Sequence, residues 1–433
     1  MRKVILADRL IDGSGAPPLD APVVIVNGER IERITTHAEW QPGREDDVRV
    51  EEYPGMTLLP GLIDGHVHLS FSAGGSTDDV LAEYMDADDL RMAAMASENA
   101  RRCLAGGVTT VRDCGGPGTM IQSLRDAIAA GVTRGPRVLA SGMPITTTAG
   151  HCHFFGLRVD DANEARKAVR KLVQDDVDWI KVMATGGRMT RNSNIYRAQY
   201  STDELRAIVA EARRLERRVA AHVLSTEGIR NSVDAEVDTL EHCNWQDGEG
   251  GWSFDEAVLA KIEAQGTHVS ITLVGYMRDA YLAWRDDPEG APLTPVLERR
   301  FALEKEMFAR GLNAFITSDA GVPGTRFDEL HLSVAVGVAW LGLDALSGIA
   351  AVTSRAARAL GVDDRVGTLE AGKLADLLVV RGDPTRDIAA LATPHRVYQG
   401  GQVVSVEGAV LPADARRLGP LPPSTVRTGR RWA

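Results

Sequence analysis

Leu58-Leu59-Pro60-Gly61-Leu62-Ile63-Asp64-Gly65-His66-Val67-His68 is an apolar run that ends in two histidines one residue apart. Taken as a strand from Leu58 to Val67, it points both imidazoles the same way, because alternate side chains of an extended chain share a face. Seven more short apolar runs follow: Val108 to Val111, Arg137 to Ala140, Trp179 to Met183, Val219 to Val223, Thr239 to Glu241, His268 to Leu273 and Ala314 to Thr317. Helical patterns separate them. Asp203 to Arg217, for example, places Leu205, Ile208, Val209, Ala212 and Leu215 on one face, with Ser201 or Thr202 placed to cap it. Eight strand–helix alternations imply parallel βαβ units, and eight strands close a barrel. The expected fold is α/β, a (β/α)8 TIM barrel over residues 58–362.

Working outward, both ends of the chain read as short strands with turns. Val4-Ile5-Leu6 and Val23-Val24-Ile25-Val26 are β-branched runs, and Asn27-Gly28 marks a hairpin before Arg30-Ile31-Glu32-Arg33-Ile34. Near the other end, Ala375 to Arg381 reads as a buried strand, and Gln399-Gly400-Gly401 separates Val397 from Val403-Val404. Chain termini often lie close together, so residues 1–57 and 363–433 are expected to form one discontinuous β-sandwich domain.

The C-terminal ends of the barrel strands carry the chemistry. Strand one ends in His66 and His68, strand four carries Lys181, and strand five ends in His222. Strand six ends in His242 and strand eight in Asp319. Each residue alone has an ordinary reading: exposed histidines, a helix-capping aspartate, a snorkelling lysine. Together they fall at the face where active sites of this fold are built. Imidazole and carboxylate are ligands of divalent metals, and this set suits zinc best.

Composition sets the outer limits. A net charge of −11 argues against a nucleic-acid partner, which needs a basic face. Cys103, Cys114, Cys152 and Cys243 form no CxxC pair, so neither a cysteine zinc knuckle nor a disulfide framework is expected. The opening Val4-Ile5-Leu6-Ala7 run is broken at once by Asp8 and Arg9, and no later run reaches membrane-spanning length. A cytoplasmic enzyme acting on a small-molecule substrate, with no membrane partner, is the expectation. Leu332 to Leu341 fits either core packing or the interface of a homo-oligomer.

The run from Pro60 to His68, Lys181, His222, Glu241-His242 and Thr317-Ser318-Asp319 resembles the amidohydrolase superfamily, as does Gly367 to Leu377. Within it the chain is similar to the imidazolonepropionase and Xaa-Pro dipeptidase-like branch. That resemblance implies two divalent metals, with Lys181 carboxylated by CO2 to a carbamate that bridges them. It implies His66, His68 and Asp319 on one ion, His222 and His242 on the other, and Lys181 shared. Bridging hydroxide would attack the carbonyl, with Asp319 as the proton shuttle. The carbamate also has a chemical rationale: an ammonium beside two cations is disfavoured, and a neutral amine captures CO2. An unmodified Lys181 would instead leave one metal on His66, His68, His222 and Asp319, which suits cyclic amide or imidazolone ring opening. Deaminase relatives place a glutamate three residues after the strand-five histidine, where this chain has Ser225.

Loops set the substrate. After strand three, His151 can hydrogen-bond a substrate carbonyl, and His153 is a second candidate contact. The loop from Gly186 to Arg197 holds Arg188, Arg191 and Tyr196, a candidate clamp for a free carboxylate. The leading expectation is hydrolysis of an amide bond in a dipeptide or N-acyl amino acid. Ester, carbamate or organophosphate hydrolysis fits the same centre. A non-catalytic scaffold fits poorly, because all six candidate ligands are present.

Overall fold

The computed structural model describes residues 2–40, 48–248, 251–252 and 254–413; the rest of the terminal segments, including 414–433, lies outside the described residues. Both ends of the chain contribute to one nine-stranded sheet. The first end supplies Arg2–Leu10, Leu19–Asp20, Pro22–Asn27, Arg30–Thr36 and Val48–Pro60. The other supplies Leu377–Arg381, Pro394–Gln399, Gln402–Val406 and Ala409–Val410. They meet where Leu377–Arg381 runs antiparallel to Val48–Pro60, with Leu377 opposite Pro60. Asn27 and Arg30 close one hairpin, Gln399 and Gln402 another. Alternation along the strands buries both faces. Ile5, Val24 and Val26 pack with Tyr398 in one cluster, and Val4, Leu6, Val23 and Ile25 form another. The ladder is continuous, rather than split into two facing sheets.

Each of the eight strand candidates is a strand, and the ladders among them are parallel. The first needs correction at its start. Leu58 and Leu59 belong to Val48–Pro60 in the outer sheet, and the inner strand is Leu62–Val67. The break falls at Gly61, packed so closely on Thr109 that a Cβ there would lie 2.2 Å from its Oγ1. The chain turns from one sheet into the other where only glycine fits. The helix after strand four spans Thr202–Arg214, shorter than its apolar pattern, and starts in a capping box of Ser201 and Glu204.

The inner strands form a three-stranded arc, from Leu62–Val67 to Arg137–Ala140, and a seven-stranded arc ending at Ala314–Thr317. Single backbone bonds span the seams. Asp319 N donates to His66 O at 2.9 Å, His68 N to Ala320 O at 2.8 Å, and Asp178 N to Ala140 O at 2.7 Å. Helix Leu330–Trp340, which holds most of the apolar late stretch, buries Leu330, Leu332, Val334 and Val336 in the chain's own core. No described helix is long and apolar enough to cross a membrane.

Candidate metal centre

The strand ends converge on one cavity of about 230 Å³, lined by His66, His68, Lys181, His222, His242 and Asp319 and by His151. Asp319 follows strand Ala314–Thr317 in the left-handed region, φ 58°, which aspartate tolerates better than most residues. Its Oδ1 lies 3.4 Å from both His66 Nε2 and His68 Nε2. Asp64 fixes this junction from below: it accepts bonds from Ser318 N, Ser318 Oγ and His66 N. Burial pushes the Asp64 carboxyl up to about 6.

The far side of three of these imidazoles meets a group that can only accept, which sets the tautomer. His66 Nδ1 donates to Glu241 Oε2 at 2.8 Å, His68 Nδ1 to Gly115 O at 3.1 Å, and His222 Nε2 to Gly186 O at 3.1 Å. His66 Nε2, His68 Nε2 and His222 Nδ1 are left with their lone pairs. Glu241 is in turn held by Arg112 at 2.5 Å and Thr239 at 2.5 Å, all buried. His242, at φ 68°, places its ring 4.9 Å from that of His66, tilted, and 4.6 Å from that of His222, edge-on.

The electrostatics favour ligand forms. Burial, helped by the Lys181 charge, lowers His66 to about 4. Burial also holds His222 and His242 well below the ordinary histidine range. In His68 burial acts the same way, but the Asp319 carboxylate, 3.4 Å away, outweighs it and raises the ring. Burial would raise Asp319, yet His66, His68 and His242 keep it far below the usual carboxylate range. Three cavity-lining residues each have a buried side-chain atom without a hydrogen-bond partner: Lys181 Nζ, Asn244 Oδ1 and Asp319 Oδ1. A buried polar atom left unpaired costs about 1–3 kcal/mol, so a binding partner is implied at this point. His66, His68 and Asp319 each offer a ligand atom, all within 4.8 Å of one another. The donor set therefore fits a divalent metal.

Residues 57–404 match the amidohydrolase family. The chain belongs to that family. This amidohydrolase is similar to the ochratoxinase of Aspergillus niger, 28% identical over 441 residues, covering 94% of this chain and 87% of that protein. It is also similar to the imidazolonepropionase of Micrococcus luteus, 25% identical over 437 residues, covering 93% and 99%. Among solved structures it resembles a Xaa-Pro dipeptidase with methionine bound in its active site, with TM-score 0.77 and 26% identity. That match covers 93% of this chain and 99% of the other. The imidazolonepropionase and the Xaa-Pro dipeptidase lie in the branch that the strand-end motifs resemble.

Of the loop residues, the structure brings His151 and Arg188 to the cavity and leaves His153, Arg191 and Tyr196 outside its lining. His153 Nδ1 donates to Gly150 O at 2.9 Å. Arg191 is 80% exposed and pairs with Asp78 at 2.9 Å. Tyr196 is half-buried beside Asn194. His151 lies over the backbone of Gly187, where a Cβ would sit 2.3 Å from its Nε2. Burial lowers this imidazole to about 3, with Lys181 adding to the effect, so it is neutral and donates one hydrogen bond. Gly187→Ala is expected to displace the ring and lower kcat/KM by about a hundredfold with metal content unchanged, since small misplacements cost that much. Steady-state kinetics beside elemental analysis checks this, and unchanged kcat/KM would remove His151 from the reaction. Sequence reasoning assigned no role to Arg112, Asn244, Tyr276 or Arg300. Glu241 was visible beside His242, but nothing in the sequence showed which way it points.

Proposed function

We propose that this amidohydrolase uses two divalent metals, zinc by preference, to hydrolyse an amide C–N bond in a dipeptide or N-acyl amino acid with a free carboxylate. The observation carrying this reading is the buried pair of unpartnered atoms, Lys181 Nζ and Asp319 Oδ1, among four histidines. His66, His68 and Asp319 would hold one ion, His222 and His242 the other, with Lys181 as a carbamate between them. Metals so held acidify a water toward neutrality and polarise a carbonyl. Asp319, ionised by its histidine neighbours, accepts the water's proton and passes it to the leaving nitrogen. His151 donates its ring N–H to the carbonyl oxygen as charge develops there. The two strand arcs act as one (β/α)8 barrel that brings these groups together, with the terminal strands as a separate β domain. Four free, buried cysteines suit the reducing cytoplasm.

The test is metal content per chain, with intact mass measured in bicarbonate. Two metals and a CO2 adduct that disappears in Lys181→Ala are expected. The alternative is a single ion and cyclic amide ring opening: His66, His68 and Asp319 bring ligand atoms within 4.8 Å of one another, and among the described residues His222 and His242 join no such group. One metal with no adduct would select it. No metal after reconstitution would overturn both.

A further inference from the structure

The arginine loop does not supply a buried clamp: Arg188 is exposed at the cavity, and Arg191 is engaged elsewhere. A different arginine lies deeper. Arg300, on helix Pro295–Ala309, is 6% exposed and lines the same cavity. Its Nε donates to Glu304 Oε1 at 2.7 Å, one terminal nitrogen to Tyr276 Oη at 3.2 Å, and the other to Thr272 O at 2.9 Å. A guanidinium has five N–H donors, so each terminal nitrogen keeps one uncommitted. Tyr276 Oη accepts from Arg300 and retains its own proton to donate. Glu304 makes burial of the guanidinium tolerable and fixes its plane.

Two further observations bear on what binds there. Asn244 lines the cavity, and its Oδ1 is buried without a partner, an acceptor suited to an amide N–H. The lining has a single carboxylate, Asp319, while Phe71, Met183, Met189, Val274 and Val322 make much of it apolar. Donors for a carboxylate, an acceptor for an N–H and apolar walls together match the amino-acid half of an N-acyl amino acid.

We propose that Arg300, with Tyr276, receives the free carboxylate of the substrate, and that the preferred substrates are N-acyl amino acids or dipeptides ending in an apolar residue. This rests on the amide-hydrolase reading above. The test titrates zinc-loaded full-length protein with L-phenylalanine and L-methionine, each against its carboxamide, by calorimetry. Wild type should prefer the free acids by about 30-fold, the size expected for charged hydrogen bonds. Arg300→Met with Glu304→Gln, which leaves no unpaired charge, should lose that preference. Arg191→Ala should keep it. No preference in wild type, or an unchanged one in the double variant, overturns the subsite. Zinc-dependent cleavage of N-acetyl-L-phenylalanine and N-acetyl-L-phenylalaninamide is assayed in the same preparations. Arg300-dependent binding with cleavage of neither compound would sink the amide-hydrolase reading and leave the subsite standing; cleavage of both at equal kcat/KM would do the reverse.

Discussion

Asp319→Asn is expected to lower kcat by about a thousandfold or more, the scale of a lost general base, while leaving the protein folded. The substitution is unusually clean here. Asp319 sits at φ 58°, and asparagine adopts that region as readily as aspartate, so the backbone after strand Ala314–Thr317 has no reason to move. Its backbone N–H donates to His66 O, a bond that a side-chain change leaves intact. What changes is charge. Oδ1 faces His66 Nε2 and His68 Nε2 with no hydrogen donor of its own, and the ionised form is favoured by those rings and His242. An amide in that place neither accepts a proton at neutral pH nor offers a negative ligand. Initial rates on zinc-loaded protein, with circular dichroism and the unfolding midpoint as controls, check the prediction. Wild-type turnover from folded Asp319→Asn would end the assignment of Asp319 as proton carrier.

What the sequence made legible followed from local rules. Alternation put His66 and His68 on one face, and apolar runs marked the eight strands because buried strands are short and β-branched. Ser201 was one of two residues placed to cap its helix, and it is the cap. The rest depended on contacts distant in sequence. Gly61 as the break between two sheets shows only when Thr109 lies against it. Arg188, Arg191 and Tyr196 looked like a unit because they are neighbours in the chain. The long loop turns Arg191 outward to Asp78, and the cavity is completed instead by Arg300 and Tyr276, from the segment between strands seven and eight. An arginine on such a helix reads as surface, and its burial depends on Glu304 one turn later.

Arg112 is the second place where a single change is expected to matter greatly. It stands on the three-stranded arc, and its bonds to Thr239 Oγ1 and Glu241 Oε1 reach across to the seven-stranded arc. A further bond reaches Gly65 O at 2.8 Å, and the guanidinium lies 4.6 Å from the centre of the Trp179 ring. Burial would push Glu241 up, but Arg112 and then His66 hold it well below the ordinary range, so it is ionised. Arg112→Met strands that carboxylate in a dry interior, at a cost of about 3–5 kcal/mol, the range for breaking a buried pair from one side. The unfolding midpoint should fall accordingly. Arg112→Met with Glu241→Gln removes both charges and should recover most of the stability, because neutral replacements of similar volume are tolerated. It should not recover the centre. His66 then loses the anion that fixes its Nδ1 proton, and zinc affinity should drop by about 10–100-fold, as when the carboxylate behind a metal-bound histidine is lost. Chelator competition on the single and double variants separates the two effects. A double variant with both stability and zinc affinity restored would show that the pair holds the arcs together and does nothing for His66.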